Sequence, residues 1–435
     1  MAHGNRTAGH PERSELEGFL LGKLDRTGRM AVLAHLVHGC DACQQTLAPL
    51  ASFMWRPERS QPPREHSEAE YDAAIEKAFA ALPAPAKQRP SKKRAPEAAE
   101  LLSSAGHGEI AWALCESLLD ESWEQRHHDP EAMVLLAAFA AMVAESIEPS
   151  TRGVAALADL QARAFADLGN ARRVANDPVA ADVDLLRARK RAERGTGDTM
   201  LLGRLLERTG ALRIDQRRFD EAETLLEWAL QVYETEGARH LTGKVLTQKA
   251  HLCLLTGKPE EAASLLMRAL SFLDPVLEPS VLLVAVHNLL DCYVQCGRFR
   301  EAWHLLWISR KLYAAYGGPV HQLRLLWIEG RVADGLGHAG RSERYFRQAQ
   351  KGFLEMNLPY TAAVVATDLG ILLLEKGRAA EARELIEETL ETFNVLHIRR
   401  EAVGAMILLS DAVQQETLSV AALRQLAAEL QKIER

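Results

Sequence analysis

RFDEAETLLEWAL (218–230), KPEEAASLLMRAL (258–270), RFREAWHLLWISR (298–310) and RAAEARELIEETL (378–390) are variants of one pattern. Their small residue falls at Ala222, Ala262, Ala302 and Ala382, and Ser342 in AGRSERYFRQAQ (339–350) fills the missing place, so each step is 40 residues. Leu226, Leu266, Leu306, Phe346 and Ile386 keep the register four residues later. Gly257, Gly297, Gly337 and Gly377 precede them in the same phase. A fixed period of this size means stacked supersecondary units, because one unit cannot bury its apolar face alone.

Each period holds two helices. Val284, Leu289, Leu290 and Tyr293 form an apolar face at helical spacing, and Gly297 ends that helix by taking the left-handed cap conformation. The second helix is expected from about Phe299 to Tyr316, with Pro319 opening the next pair. Upstream, Leu168–Gly169 followed by Ala181, Leu185 and Ala188 is a further copy, 41 residues before Ala222. HGEIAWALCESLL around Ala111 reads as a still earlier second helix. About eight helix pairs are expected from residue 98 to 435, with Leu418 to Ile433 as a capping helix.

This register resembles the tetratricopeptide repeat family, with a small residue late in the first helix (Gly169, Gly210, Ala250, Gly330, Gly370) and a large apolar one three later (Tyr293, Leu373). The resemblance implies an all-α, right-handed α-solenoid. The copies here are 40 residues rather than the usual 34, so the helices should be about a turn longer. Leu290 breaks the small-residue rule and should open the helix crossing locally.

Composition agrees. Apolar residues make up 47% of the 435 and aromatic ones only 6%, the balance of helix-on-helix cores rich in Ala and Leu. A net charge of −7 argues against a general nucleic-acid binder. No stretch reaches the length of a membrane span, and the most apolar one, Ala132 to Ile147, carries Glu145 and reads as a buried helix. The opening residues hold no apolar run of the secretory kind, and six cysteines in so long a chain are no disulfide framework, so the cytoplasm is the expected compartment.

Two stretches rich in Pro and charge, Arg56–Ser67 and Leu82–Glu97, read as linkers. Between them Tyr71, Ile75, Phe79 and Leu82 mark an amphipathic helix over 68–82. The expected organisation is a small module at 1–55, a linker at 56–97 and the repeat array at 98–435. The basic run Lys87 to Arg94 is a solvated part of that linker.

The N-terminal module carries the one constellation with chemistry in it. His35, Cys40 and Cys43 fall within nine residues, and His10 lies 25 residues before His35. Zinc takes four thiolate or imidazole ligands in a tetrahedron, and a Cys-x-x-Cys turn supplies two at one corner. A helix over Thr27–Val37 and another from Glu15 would bring all four to one hairpin. The segment resembles the zinc-binding domain of bacterial anti-sigma factors, through Phe19, the Leu21–Gly22 turn, Leu24, His35–Leu36, Cys40 and Cys43. Gly39 adds a residue between histidine and cysteine, which leaves His35 and His38 as alternatives; His35 precedes Leu36 as the family's ligand does. The resemblance implies one zinc per chain, and a following helix that clasps a sigma factor.

Elsewhere, Cys292 and Cys296 one turn after His287 are expected as core residues, as are Cys115 and Cys253. His127–His128 reads as a polar loop. No nucleotide-loop, nucleophile-elbow or zinc-protease motif occurs, and no enzyme activity is expected. In the repeat register the ligand face is the one carried by first helices: Arg163, Asn170, Arg204 and Lys244, then His251, His287, Asp291, Arg324, Trp327 and Arg331. A face rich in Arg suits carboxylates, which Arg grips bidentately, although solvated repeat residues would read the same way. The expected function is a regulatory protein–protein adaptor, its repeat face binding a peptide or protein and its zinc module meeting a sigma-factor-like partner. A purely structural scaffold and a sensor of a small signal are the alternatives.

Overall fold

The computed structural model describes residues 107–126 and 129–385. These contain thirteen helices, a further helical stretch at 379–385 and no strand. By their contacts they form two compact units, 107–245 and 246–385, and the division falls within the seventh helix.

The first unit contains three helix pairs: α1 (His107–Gln125) with α2 (Pro130–Ser146), α3 (Val154–Val174) with α4 (Pro178–Ala192), and α5 (Thr199–Asp215) with α6 (Phe219–Thr235). Pairs stack because each first helix also touches its predecessors: α3 packs on α2, and α5 on both α3 and α4. Helix starts are fixed chemically. Asp129 and Asp177 accept the amides of Ala132 and Ala180 at 2.9 and 3.0 Å, with Pro130 and Pro178 in the first turn where no amide is needed.

The small residues of the repeat are the places where helices nearly touch. A methyl group added at Gly169 would lie 2.8 Å from Leu185, and one at Gly210 2.9 Å from Leu226. At both crossings the glycine of the first helix therefore receives the large residue four beyond the second helix's alanine. Ala181 and Ala222 are fully buried beneath.

The second unit continues the pattern from the end of α7 (Arg239–Leu255) through α8 (Pro259–Phe272), α9 (Pro279–Gln295), α10 (Phe299–Tyr316), α11 (Pro319–Gly335), α12 (Ala339–Glu355) and α13 (Pro359–Glu375). Ala262, Ala302, Ser342 and Ala382 are all fully buried. Gly257, Gly297, Gly337 and Gly377 turn the chain between paired helices at φ of 75°, 72°, 78° and 70°. At the first of these Lys258 donates its amide to Cys253 at 2.8 Å, the six-to-one bond of a Schellman cap. In the first unit the same turn is built on Asn176 and Arg217, at φ of 62° and 60°.

Three local expectations are settled by this geometry. Leu290 is fully buried, and α9 packs on α10 less closely than the pairs built on Gly169, Gly210 and Gly330 do, as a larger side chain at the crossing requires. Ala111 lies in α1, which pairs with α2 and is a first helix, not a second one. The segment 132–147 buries only one face: Met133, Ala137, Ala140, Ala141 and Ala144 point inward while Leu135, Phe139 and Met142 are exposed. Among the described residues no helix is long and apolar enough to cross a membrane.

Candidate peptide-binding face

The four zinc ligands expected from the sequence, His10, His35, Cys40 and Cys43, lie outside the described residues, as does segment 68–82, where an amphipathic helix is expected. Among the described residues no cluster of three or more His, Cys, Asp or Glu is arranged to hold a metal. Burial raises the thiols of Cys115, to about 11, and of Cys292, as expected of core residues rather than ligands or nucleophiles.

In the first unit, Arg163 and Arg204 meet in one cleft of about 340 Å³. It is lined by three successive first helices: Trp112 and Glu116 from α1, Asp159 and Arg163 from α3, and Arg204 from α5. Asp198, in the turn before α5, closes one end. The charges there are unequally committed. Asp159 accepts the backbone amide of Thr196 at 3.0 Å, and Asp198 that of Met200 at 2.8 Å, so both carboxylates serve the turn between α4 and α5. Arg163 lies 3.4 Å from Asp120 and 3.9 Å from Asp167. Arg204 makes no ion pair among the described residues. Trp112 is 6% exposed, and its indole N–H is buried without a hydrogen-bond partner. Its ring is held by the Arg152 guanidinium, stacked at 4.5 Å and itself locked to Glu109 at 2.6 Å. A buried donor left unmade is costly.

The other two residues expected in this unit's face are engaged. Asn170 is buried and accepts two hydrogen bonds from Arg173 at 3.2 Å. Lys244 sets its ammonium over the Trp123 ring at 4.8 Å.

In the second unit the expected face residues come together mainly as an internal network. Arg331 pairs with Asp291 at 2.8 Å and reaches Asp368 at 3.8 Å, while the Trp327 indole donates to Asp368 at 2.7 Å. Arg331 and Asp291, 40 residues apart, are equivalent places of neighbouring first helices, and the Trp327–Asp368 bond, 41 apart, joins the next pair of first helices. Burial raises the Asp368 carboxyl above the usual carboxylate range, against the pull of Arg331 and the indole. His287 is hydrogen-bonded through Nδ1 to the Tyr313 hydroxyl at 2.8 Å. Arg324 differs: its Nε is buried without a hydrogen-bond partner, beside His321, whose pKa burial and that guanidinium lower. His251 is partly exposed.

Sequence reasoning missed Trp112, Asp368 and Asp159. Asp167, Arg208 and Asp368 all stand two before the small residue of a first helix, and the ion pair of Arg208 with Asp167 joins neighbouring copies as Arg331 and Asp368 do. That place was readable from the register. Trp112 was not, because α1 falls outside the regular period.

Residues 201–274 match the tetratricopeptide repeat family. No curated protein matches the chain. Among solved structures, the Rap protein complexed with competence and sporulation factor is similar with a TM-score of 0.55 at 12% identity, covering 73% of this chain and 88% of that one. Aspartyl phosphate phosphatase F from Bacillus subtilis is similar with a TM-score of 0.44 at 13% identity, covering 74% of this chain and 83% of that one. The first likeness shows the fold: stacked tetratricopeptide-like helix pairs.

Proposed function

We propose that this protein is a non-enzymatic adaptor that takes up an extended peptide, or a peptide-like segment of a protein, on the face of its first helices. The cleft at Trp112, Arg163 and Arg204 carries the reading. It gathers the Arg163 and Arg204 guanidiniums beside the Trp112 ring in one hollow of about 340 Å³, and Arg204 makes no ion pair among the described residues. Glu116 adds an acceptor for a main-chain amide. Such a set suits a main chain with an acidic side chain or terminus more than it suits an apolar small molecule. A partner held by a protein of similar fold, as in the Rap protein complexed with competence and sporulation factor, supports the same use. The regulatory part of the reading rests on the N-terminal resemblance to anti-sigma factors: a zinc module on His10, His35, Cys40 and Cys43 would meet a sigma-factor-like protein while the repeats hold a second partner.

The test is selection of a random-peptide display library against the purified full-length chain. Recovered peptides should carry a carboxylate and bind about 10- to 100-fold more weakly to Arg204→Glu, the range for a lost charge-assisted bond. Binders indifferent to Arg204→Glu and to Trp112→Phe would move the ligand face elsewhere.

A further inference from the structure

The second helices of the first unit carry a different surface. On α2, Leu135, Phe139 and Met142 stand at helical spacing, and on α4 Val179, Val183 and Leu186 do the same. All six are between 43% and 75% exposed. The two triads are equivalent places: buried Ala137, Ala140 and Ala144 correspond to buried Ala181, Asp184 and Ala188 at the same offset of 44 residues that relates the triads. They therefore repeat at equivalent places on successive second helices, each two turns long, and the Arg191–Glu145 ion pair links those helices at one end.

At that end lies a cleft of about 450 Å³, floored by Phe165 of α3 and walled by Glu145 of α2 and by Arg187, Lys190, Arg191 and Arg194 at the end of α4. Arg191 is paired with Glu145 at 3.0 Å and Arg187 lies 3.4 Å from Asp184. Lys190 and Arg194 make no ion pair among the described residues. Four cations against one carboxylate is a sharp local excess on a chain whose net charge is −7.

We infer that the α2–α4 face is a docking surface for an amphipathic helix of a partner protein, apolar on one side and acidic at the end that lies over Lys190 and Arg194. Apolar places at i, i+4 and i+7 on two neighbouring helices present ridges between which a third helix seats its own apolar stripe. The cations fix its direction, because only one orientation brings carboxylates over them. The surface belongs to second helices and shares no residue with the cleft at Trp112, so it would bring a second partner to an adaptor without competing with the first.

The test is fluorescence anisotropy of the full-length chain with a labelled, designed helical peptide of Leu and Glu whose Leu residues form one stripe. A peptide with Lys in place of Glu serves as control. Binding of the Leu/Glu peptide is expected, weakening with salt, absent for the Leu/Lys peptide, and reduced at least tenfold by Lys190→Glu with Arg194→Glu and separately by Phe139→Ser with Val183→Ser. Circular dichroism should show both variants folded, and Arg204→Glu should leave this binding unchanged. Equal binding of the two peptides, or binding insensitive to both pairs of changes, overturns the inference. So does loss of sedimentation with phosphatidylserine vesicles in the same variants without peptide binding, which would make the face a lipid contact. Self-association abolished by those variants would make it a contact between two copies. Peptide binding that appears only after Tyr71, Ile75 and Phe79 are changed to Ser would show that the chain's own acidic segment 68–82 occupies the groove.

Discussion

Gly330 and Phe346 give the repeat register its sharpest test. A methyl group added at Gly330 would sit 2.6 Å from two ring carbons of Phe346, and Phe346 is 2% exposed within a closed cluster, so it has no free direction in which to move. Overpacking of this kind costs about 1–3 kcal/mol, from which the better helix propensity of alanine returns about 1 kcal/mol. Gly330→Ala should therefore destabilise by roughly 0–2 kcal/mol net. Phe346→Leu alone leaves a partly filled hollow and should cost about 1–2 kcal/mol. One period earlier but one, the same two places hold Ala250 and Leu266, both fully buried in their own cluster. The double variant reproduces that natural pair and should return to within about 1 kcal/mol of the parent, a coupling that two non-contacting sites would not show. Urea unfolding followed by far-ultraviolet circular dichroism gives the four free energies, provided the slopes agree among the four proteins. A double variant as unstable as the sum of the two singles would refute the pairing of small first-helix residue with large second-helix residue.

Arg217 holds the left-handed turn that glycine fills in later copies, so Arg217→Gly should raise stability by about 0.5–1 kcal/mol, relief of backbone strain outweighing the added freedom of the unfolded chain; an unchanged or lower midpoint contradicts the strain. Asp368 is an acid whose folded pKa is raised, so it binds its proton more tightly folded than unfolded. Stability should therefore fall as pH rises from the ordinary carboxylate value through that raised pKa, and Asp368→Asn should flatten this slope in unfolding measured across mildly acid pH. Zinc analysis of protein purified under reducing conditions without chelators should find about one ion per chain, lost in Cys40→Ser with Cys43→Ser, and its absence would remove the anti-sigma reading.

The repeat was legible because its physical requirements are few and strict. The buried crossing place of the second helices holds Ala or Ser, and the left-handed turn favours Gly or Asn, so Ala262, Ser342, Gly297 and Gly337 declare themselves, with Leu290 at the first helices' place and Arg217 at the turn as the departures from the rule. The first pair was misread because its offset to the next is 44 residues rather than 40. Exposure of Leu135, Phe139 and Met142 was hidden for a related reason. Composition alone makes α2 look like a core helix, and only the placement of its neighbours shows which side they leave uncovered.

The face residues show where register reasoning runs out. Arg163, Arg204 and Arg324 stand six before the small residue of a first helix and Arg331 one after it, two turns along the same face. What separates them is the neighbouring copy. Arg331 faces Asp291 one period before it and Asp368 one after, so its charge is spent on joining first helices, and reversing it would set three carboxylates together. Arg204 shares its cleft with Glu116 and Asp159 but makes no ion pair among the described residues, which leaves its charge for the proposed ligand. On the proposed function, one residue type on this face serves two purposes, cohesion where the neighbouring copy supplies the opposite charge and recognition where it does not. That choice lies in pairs of residues some 40 positions apart, so it becomes visible only when two copies are laid side by side.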